Sequence, residues 1–115
     1  MRRNLLGAAL AVISTAAMAQ GAAPAGDANA GLTAYQKYGC YTCHGIIGQG
    51  TLRDGPHLNT AALGYPALLV QLRNPRYEMP AYTAVQISDK GVADIYAYLT
   101  TLPKPPDVKT IGALQ

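Results

Sequence analysis

The sequence predicts a single small all-α domain. Three segments space their apolar residues three and four positions apart, as one face of a helix requires, and no segment shows the strict alternation of a half-buried strand. The stretches between those segments are rich in glycine and proline, which marks them as loops. At 115 residues the chain is the length of one domain.

Read from the amino end, residues 1–19 form a basic start, MRRN, then a run of small and apolar residues ending in Ala17-Met18-Ala19. This is the pattern of a secretory signal peptide, with cleavage expected between Ala19 and Gln20. Only 16 residues lie between Arg3 and Gln20, fewer than the ~20 apolar residues a spanning helix needs. The mature chain is therefore expected in the periplasm and not spanning a membrane. Residues 20–29 read as a flexible leader of small residues. A first helix is expected over residues 30–38, with Leu32, Tyr35 and Tyr38 on one face and Gly39 ending it. Residues 45–59 contain four glycines and a proline and read as loop. A second helix fits residues 66–73, with Pro66 in its first turn and Leu68, Leu69 and Leu72 as its apolar face. Residues 73–82 hold two prolines and form another loop. The last helix is the clearest. Ser88 is its expected cap, and Val92, Ile95, Tyr96, Leu99 and Leu102 make an apolar stripe with Asp94, Tyr98 and Thr101 opposite. Residues 104–115 read as an irregular tail.

Charge excludes one class of function. Arg2 and Arg3 leave with the signal, so seven of the nine Lys/Arg face six Asp/Glu in the mature chain. The seven, from Lys37 to Lys109, are scattered, and no basic stripe for nucleic acid exists. The chain also contains no Phe and no Trp. A domain this small is marginal without a disulfide, metal or cofactor to complete its core.

The two cysteines of the whole chain lie in Cys40-Tyr41-Thr42-Cys43-His44. Three readings compete. A Cys40–Cys43 disulfide would close a very short loop and stabilise little, and the βαβ setting of a thioredoxin-like motif is absent. A zinc site of Cys40, Cys43, His44 and His57 would have to take two adjacent ligands, against the usual separated pairs. Covalent c-type haem attachment uses all three motif residues at once. Cysteines at i and i+3 share one side of a helical turn and can each form a thioether with a haem vinyl group. His44 then follows as an iron ligand. Haem would also supply the large apolar body that the missing Phe and Trp do not.

A second axial ligand must come from few residues. Met79 is the one methionine left after signal removal, and it sits in a loop beside Pro80 rather than on a helix face. His57 and lysines are the other candidates. Met79 is favoured here over the plain role of core filler.

With this order of parts, residues 30–103 resemble a class I cytochrome c. The shared features are a helix followed at once by CYTCH, then GPHL, a middle helix, an M-P loop and a last helix. The resemblance implies the cytochrome c fold, three to four short helices around one covalent haem held through Cys40 and Cys43, with His44 and Met79 on the iron. It implies that the Pro56 carbonyl orients the His44 ring, which puts His57 on the proximal side and leaves it out of the distal position. It also implies a close crossing of the first and last helices, with Gly31 and Tyr35 against Tyr96 or Tyr98; Tyr96 is expected, since it shares the apolar stripe. The sequence departs from the family in its short loops, in an extra residue before Cys40 (Gly39 being the inferred insertion), and in lacking a tryptophan to bond a haem propionate. Arg73, Arg76, Tyr65 and Tyr82 are the candidates for that role.

The expected function is that of a periplasmic single-haem electron carrier rather than an enzyme, either free or as the cytochrome subunit of an oxidoreductase. Its expected partners are redox proteins: a periplasmic dehydrogenase as donor and a cytochrome or terminal oxidase as acceptor. The alternative is a haem enzyme or ligand sensor with five-coordinate iron, and a haem of purely structural role is a third reading.

Overall fold

The computed structural model describes residues 22–58 and 63–112; the expected signal peptide lies outside them. Among these residues four α-helices follow in order: α1 (Ala28–Lys37), α2 (Cys40–His44), α3 (Tyr65–Arg73) and α4 (Asp89–Thr100), with a short 3-10 turn at Val108–Thr110. No strand occurs among the described residues. No described helix is long and apolar enough to cross a membrane.

Helix α1 begins two residues before its expected start at residue 30, because Asp27 caps it: the carboxylate accepts from the Ala30 N–H at 2.9 Å. Asp27 also donates its own N–H to the Asp94 carboxylate at 2.7 Å, which ties the start of α1 to α4. Gly26 packs on the Ala93 carbonyl with no room for a Cβ. Both residues belong to the stretch that composition alone marks as leader. Tyr38 closes α1, and Gly39 follows at φ 74°, the left-handed turn that favours glycine. Helix α3 starts at Tyr65 with Pro66 in its first turn. Ser88 caps α4 as expected, accepting from the Gly91 N–H at 3.1 Å.

The core is the crossing of α1 and α4, closed on the other side by α3. Tyr35, Leu68, Leu72, Ile87, Val92, Ile95, Tyr98 and Leu99 are its buried members. The crossing corrects the expectation that Tyr96 meets α1. A Cβ on Gly31 would collide with the Asp94 carbonyl and lie 2.8 Å from the Tyr98 Cβ. The Tyr35 and Tyr98 rings meet at 5.3 Å between centroids, tilted by 57°. Tyr96 instead packs edge-on against Tyr65 of α3 at 5.8 Å. The reason is that α4 is covered on two sides. One helical stripe faces one neighbour, but burial by α1 and α3 together widens the apolar arc until it includes Ala93, Asp94 and Tyr98. Asp94 is only 8% exposed. It is tolerated there because Lys90 Nζ at 2.5 Å and the Asp27 N–H satisfy it. Those two donors hold its carboxyl below the usual range, Lys90 contributing most.

Candidate functional site

Helix α2 carries the CYTCH motif and follows α1 after only Tyr38 and Gly39. The turn is secured from within: the Thr42 N–H and hydroxyl both donate to the Gly39 carbonyl, at 3.1 and 2.6 Å. Cys40 and Cys43 are not bonded to each other, so the disulfide reading is not realised. Burial pushes the Cys40 thiol up to about 11, against a hydrogen bond to its own backbone that lowers it, and Cys43 raises it further.

The geometry around His44 decides what its ring can do. Its Nδ1 lies 2.9 Å from the Pro56 carbonyl oxygen. A carbonyl only accepts, so Nδ1 carries the proton and Nε2 is left with its lone pair. That is the tautomer a metal-ligating histidine needs, with its outer hydrogen bond in place. The approach depends on Gly55, where a Cβ would come within 2.6 Å of the Cys43 carbonyl oxygen and 2.9 Å of His44 Nδ1. The loop after α2 is folded onto the same place. Gly50 donates its N–H to the His44 carbonyl at 2.7 Å, and Leu58 donates to Gly48 at 2.8 Å. Tyr35 reaches from α1 to donate its hydroxyl to the Gly45 carbonyl at 2.6 Å. Burial, helped by nearby Cys40 and Tyr98, pushes that phenol up to about 12, although a backbone hydrogen bond from Gly48 pulls the other way.

Cys40, Cys43, His44 and Pro56 are thus brought together. His57 follows Pro56, and its buried Nδ1 has no hydrogen-bond partner among the described residues. Among the described residues no three His, Cys, Asp or Glu side chains gather as a metal-holding group, which removes the zinc site with His57. Met79 lies on the segment between α3 and α4, half-buried against the same core on which Cys40 packs. Tyr82, three residues on, brings this segment to the α1–α2 junction. Its hydroxyl donates to the Tyr38 carbonyl at 2.8 Å. Its phenol is raised above the usual value by burial first, then by the nearby Cys40 and Cys43.

Three of the four residues considered for a propionate are committed elsewhere. Arg73 donates to the carbonyls of Tyr82 and Ile87 at 2.9 and 2.8 Å and to the Asp89 carboxylate at 2.7 Å. Tyr82 is bonded to Tyr38, and the Tyr65 hydroxyl lies 3.4 Å from the Asp89 carbonyl. Arg76 is exposed at the wall of an apolar groove of about 390 Å³ beside α3. One residue at the site escaped the sequence reading: Gln71, whose amide Nε2 lies 3.5 Å from the Met79 sulfur. The signal was present, since Gln71 falls three residues after Leu68 and beside Leu72, a polar residue within the apolar stripe of α3.

The donor set fits a haem. Two cysteines sit one helical turn apart, a histidine presents a bare Nε2, and glycine stands where a side chain would crowd the histidine ring. Residues 26–99 match the family described as cytochrome c oxidase, cbb3-type, subunit III. The chain belongs to this family. It is a class I c-type cytochrome with the small all-helical fold of that class, and it carries haem c covalently through Cys40 and Cys43. Its chemistry is haem-based electron transfer, and its partners are redox proteins. No curated protein and no solved structure matches the chain.

Proposed function

We propose that this cytochrome is a periplasmic carrier of single electrons, with His44 and Met79 as the two axial ligands of its one haem. The observation that carries the reading is the His44–Pro56 hydrogen bond, which fixes the ring and leaves Nε2 as the free donor. When bound, the haem supplies an iron that alternates between Fe(III) and Fe(II). The chain's own residues do the rest. Pro56 and Gly55 hold the imidazole at a set rotation. The prolines at 75 and 80 limit the backbone on either side of Met79. A thioether is a soft ligand and favours the reduced state, so the potential is raised. With both faces taken, no position is left for a substrate, and the protein takes one electron from a donor and gives one to an acceptor. A periplasmic dehydrogenase suits the donor role. The family's description as an oxidase subunit supports a terminal oxidase as acceptor, with the chain as a free carrier or a bound subunit. Residues 1–19 would direct export and be removed before Gln20.

The optical spectrum tests this. The oxidised protein is expected to show a weak far-red charge-transfer band, and the reduced protein to bind no carbon monoxide. Met79→Ala is expected to abolish the band and admit carbon monoxide. A high-spin spectrum in the unaltered protein would overturn the ligation. Mass spectrometry of the exported chain is expected to show loss of residues 1–19 and gain of one haem.

A further inference from the structure

We propose that Gln71 is a positioning residue for the axial sulfur: its amide holds the Met79 thioether and raises the reduction potential. The proposal rests on Met79 being the ligand. The structural basis is a run of three α3 residues that each bond to the Met79 segment. Gln71 donates to Met79 Sδ at 3.5 Å, Leu72 accepts from the Tyr82 N–H at 2.8 Å, and Arg73 donates to the Tyr82 carbonyl at 2.9 Å. The last turn of α3 therefore fixes both the backbone after Met79 and the sulfur itself. Among the described residues Met79 is the one hydrogen-bond partner of the Gln71 side chain, and the contact is partly buried. A thioether is a weak acceptor, so an amide that spends its donor there, away from water, is held by its place on the helix.

The electronic consequence follows from the lone pairs. Sulfur in a thioether has two. The amide N–H engages one and leaves the other for iron. A hydrogen bond to sulfur withdraws electron density, which makes it a poorer donor to Fe(III) than to Fe(II) and favours the reduced protein. Hydrogen bonding around metal-bound groups is an established lever on haem potentials. If a net hydrogen bond of ordinary strength is expressed in one oxidation state, the Fe(II)/Fe(III) ratio at fixed potential changes by roughly threefold to tenfold. At 59 mV per tenfold for one electron, that is about 30–60 mV.

The test uses the full holoprotein with Gln71→Leu, and with Gln71→Met, which is close in length and also lacks an N–H. Protein-film voltammetry and the far-red band are read together with thermal unfolding. The expected result is a potential lowered by about 30–60 mV with the band still present. A merely structural role for Gln71 would lower the unfolding temperature and leave the potential where it was. An unchanged potential with the band intact in either variant overturns the proposal and leaves Met79 ligation standing. Absence of the band from the unaltered protein removes Met79 as ligand, and the proposal falls with it.

Discussion

Arg73 holds the segment between α3 and α4, and replacing it with Met is expected to be among the most damaging single changes outside the haem ligands. Its side chain is 19% exposed and makes three bonds. They are unequal. Ile87 is 2% exposed, so its carbonyl loses a charged donor that water cannot readily replace. Tyr82 is half-buried and recovers part of its loss from solvent. The Asp89 carboxylate is 69% exposed, so that ion pair contributes at most about 1 kcal/mol. Hydrogen bonds from a charged group are worth about 1.5–3 kcal/mol each. Allowing for the Tyr82 recovery, Arg73→Met is expected to cost about 2–4 kcal/mol. For a domain of this length that lowers Tm by roughly 10–30 °C. Circular dichroism on heating and in guanidinium gives both numbers, with Asp89→Asn as the internal control at about 1 kcal/mol or less. The reasoning is refuted if Arg73→Met stays within about 0.5 kcal/mol of the native protein, or if Asp89→Asn costs as much.

Three further changes probe the rest of the fold. Gly31→Ala gains about 1 kcal/mol of helix propensity but drives a methyl group into the Asp94 carbonyl and the Tyr98 Cβ; a net loss of roughly 1–3 kcal/mol is expected, and an equal or higher Tm would count against the crossing. Tyr35→Phe keeps the buried ring and strips the Gly45 carbonyl of its donor, at about 1–2 kcal/mol by denaturant titration. The same phenol has its folded-state value raised from 10.0 to about 12, so its stabilising effect is complete below pH 10 and is lost as pH rises toward 12; ultraviolet titration that finds every tyrosine ionising at pH 10 would contradict this. Asp94 has its carboxyl lowered from 3.8. Its contribution is therefore present above pH 3.8 and lost as pH falls below that toward the folded-state value, and Asp94→Asn is expected to flatten the acid limb of the stability profile.

What could be read in advance divides by range of interaction. Gly39 and Ser88 were legible because a helix end is decided by one or two residues whose chemistry is local. The CYTCH motif was legible for the same reason: spacing along one turn sets where two sulfurs and an imidazole go. Tyr98 was not. Periodicity reports one face of α4, but which tyrosine meets α1 depends on how two other helices are disposed around it. Asp94 reads as a solvent residue until the Asp27 N–H and Lys90 are seen beside it. Arg73, Tyr82 and Tyr65 looked available for a haem propionate because a sequence shows a donor but not the carbonyl it is already spent on. Gln71 could have been suspected from its place among leucines, yet its partner eight residues away beyond Pro75 could not.

The tyrosines explain how so small a chain, without Phe or Trp, makes its site rigid. Tyr35, Tyr38 and Tyr82 each serve as apolar filler, and each hydroxyl reaches another part of the chain. Tyr35 ties α1 to Gly45, directly after His44. Tyr82 ties the Met79 segment to Tyr38 at the end of α1, and Tyr38 in turn donates to Gln86 at 2.6 Å, just before the α4 cap. A phenylalanine core would bury as much ring area but leave those carbonyls unsatisfied and the loops free. The segments bearing His44 and Met79 are thereby tied to the same short stretch of α1. Movement of one segment relative to the other then requires breaking a strut to that helix. For an electron carrier this is the useful consequence, because ligands that stay in place when the charge changes leave little reorganisation for each transfer.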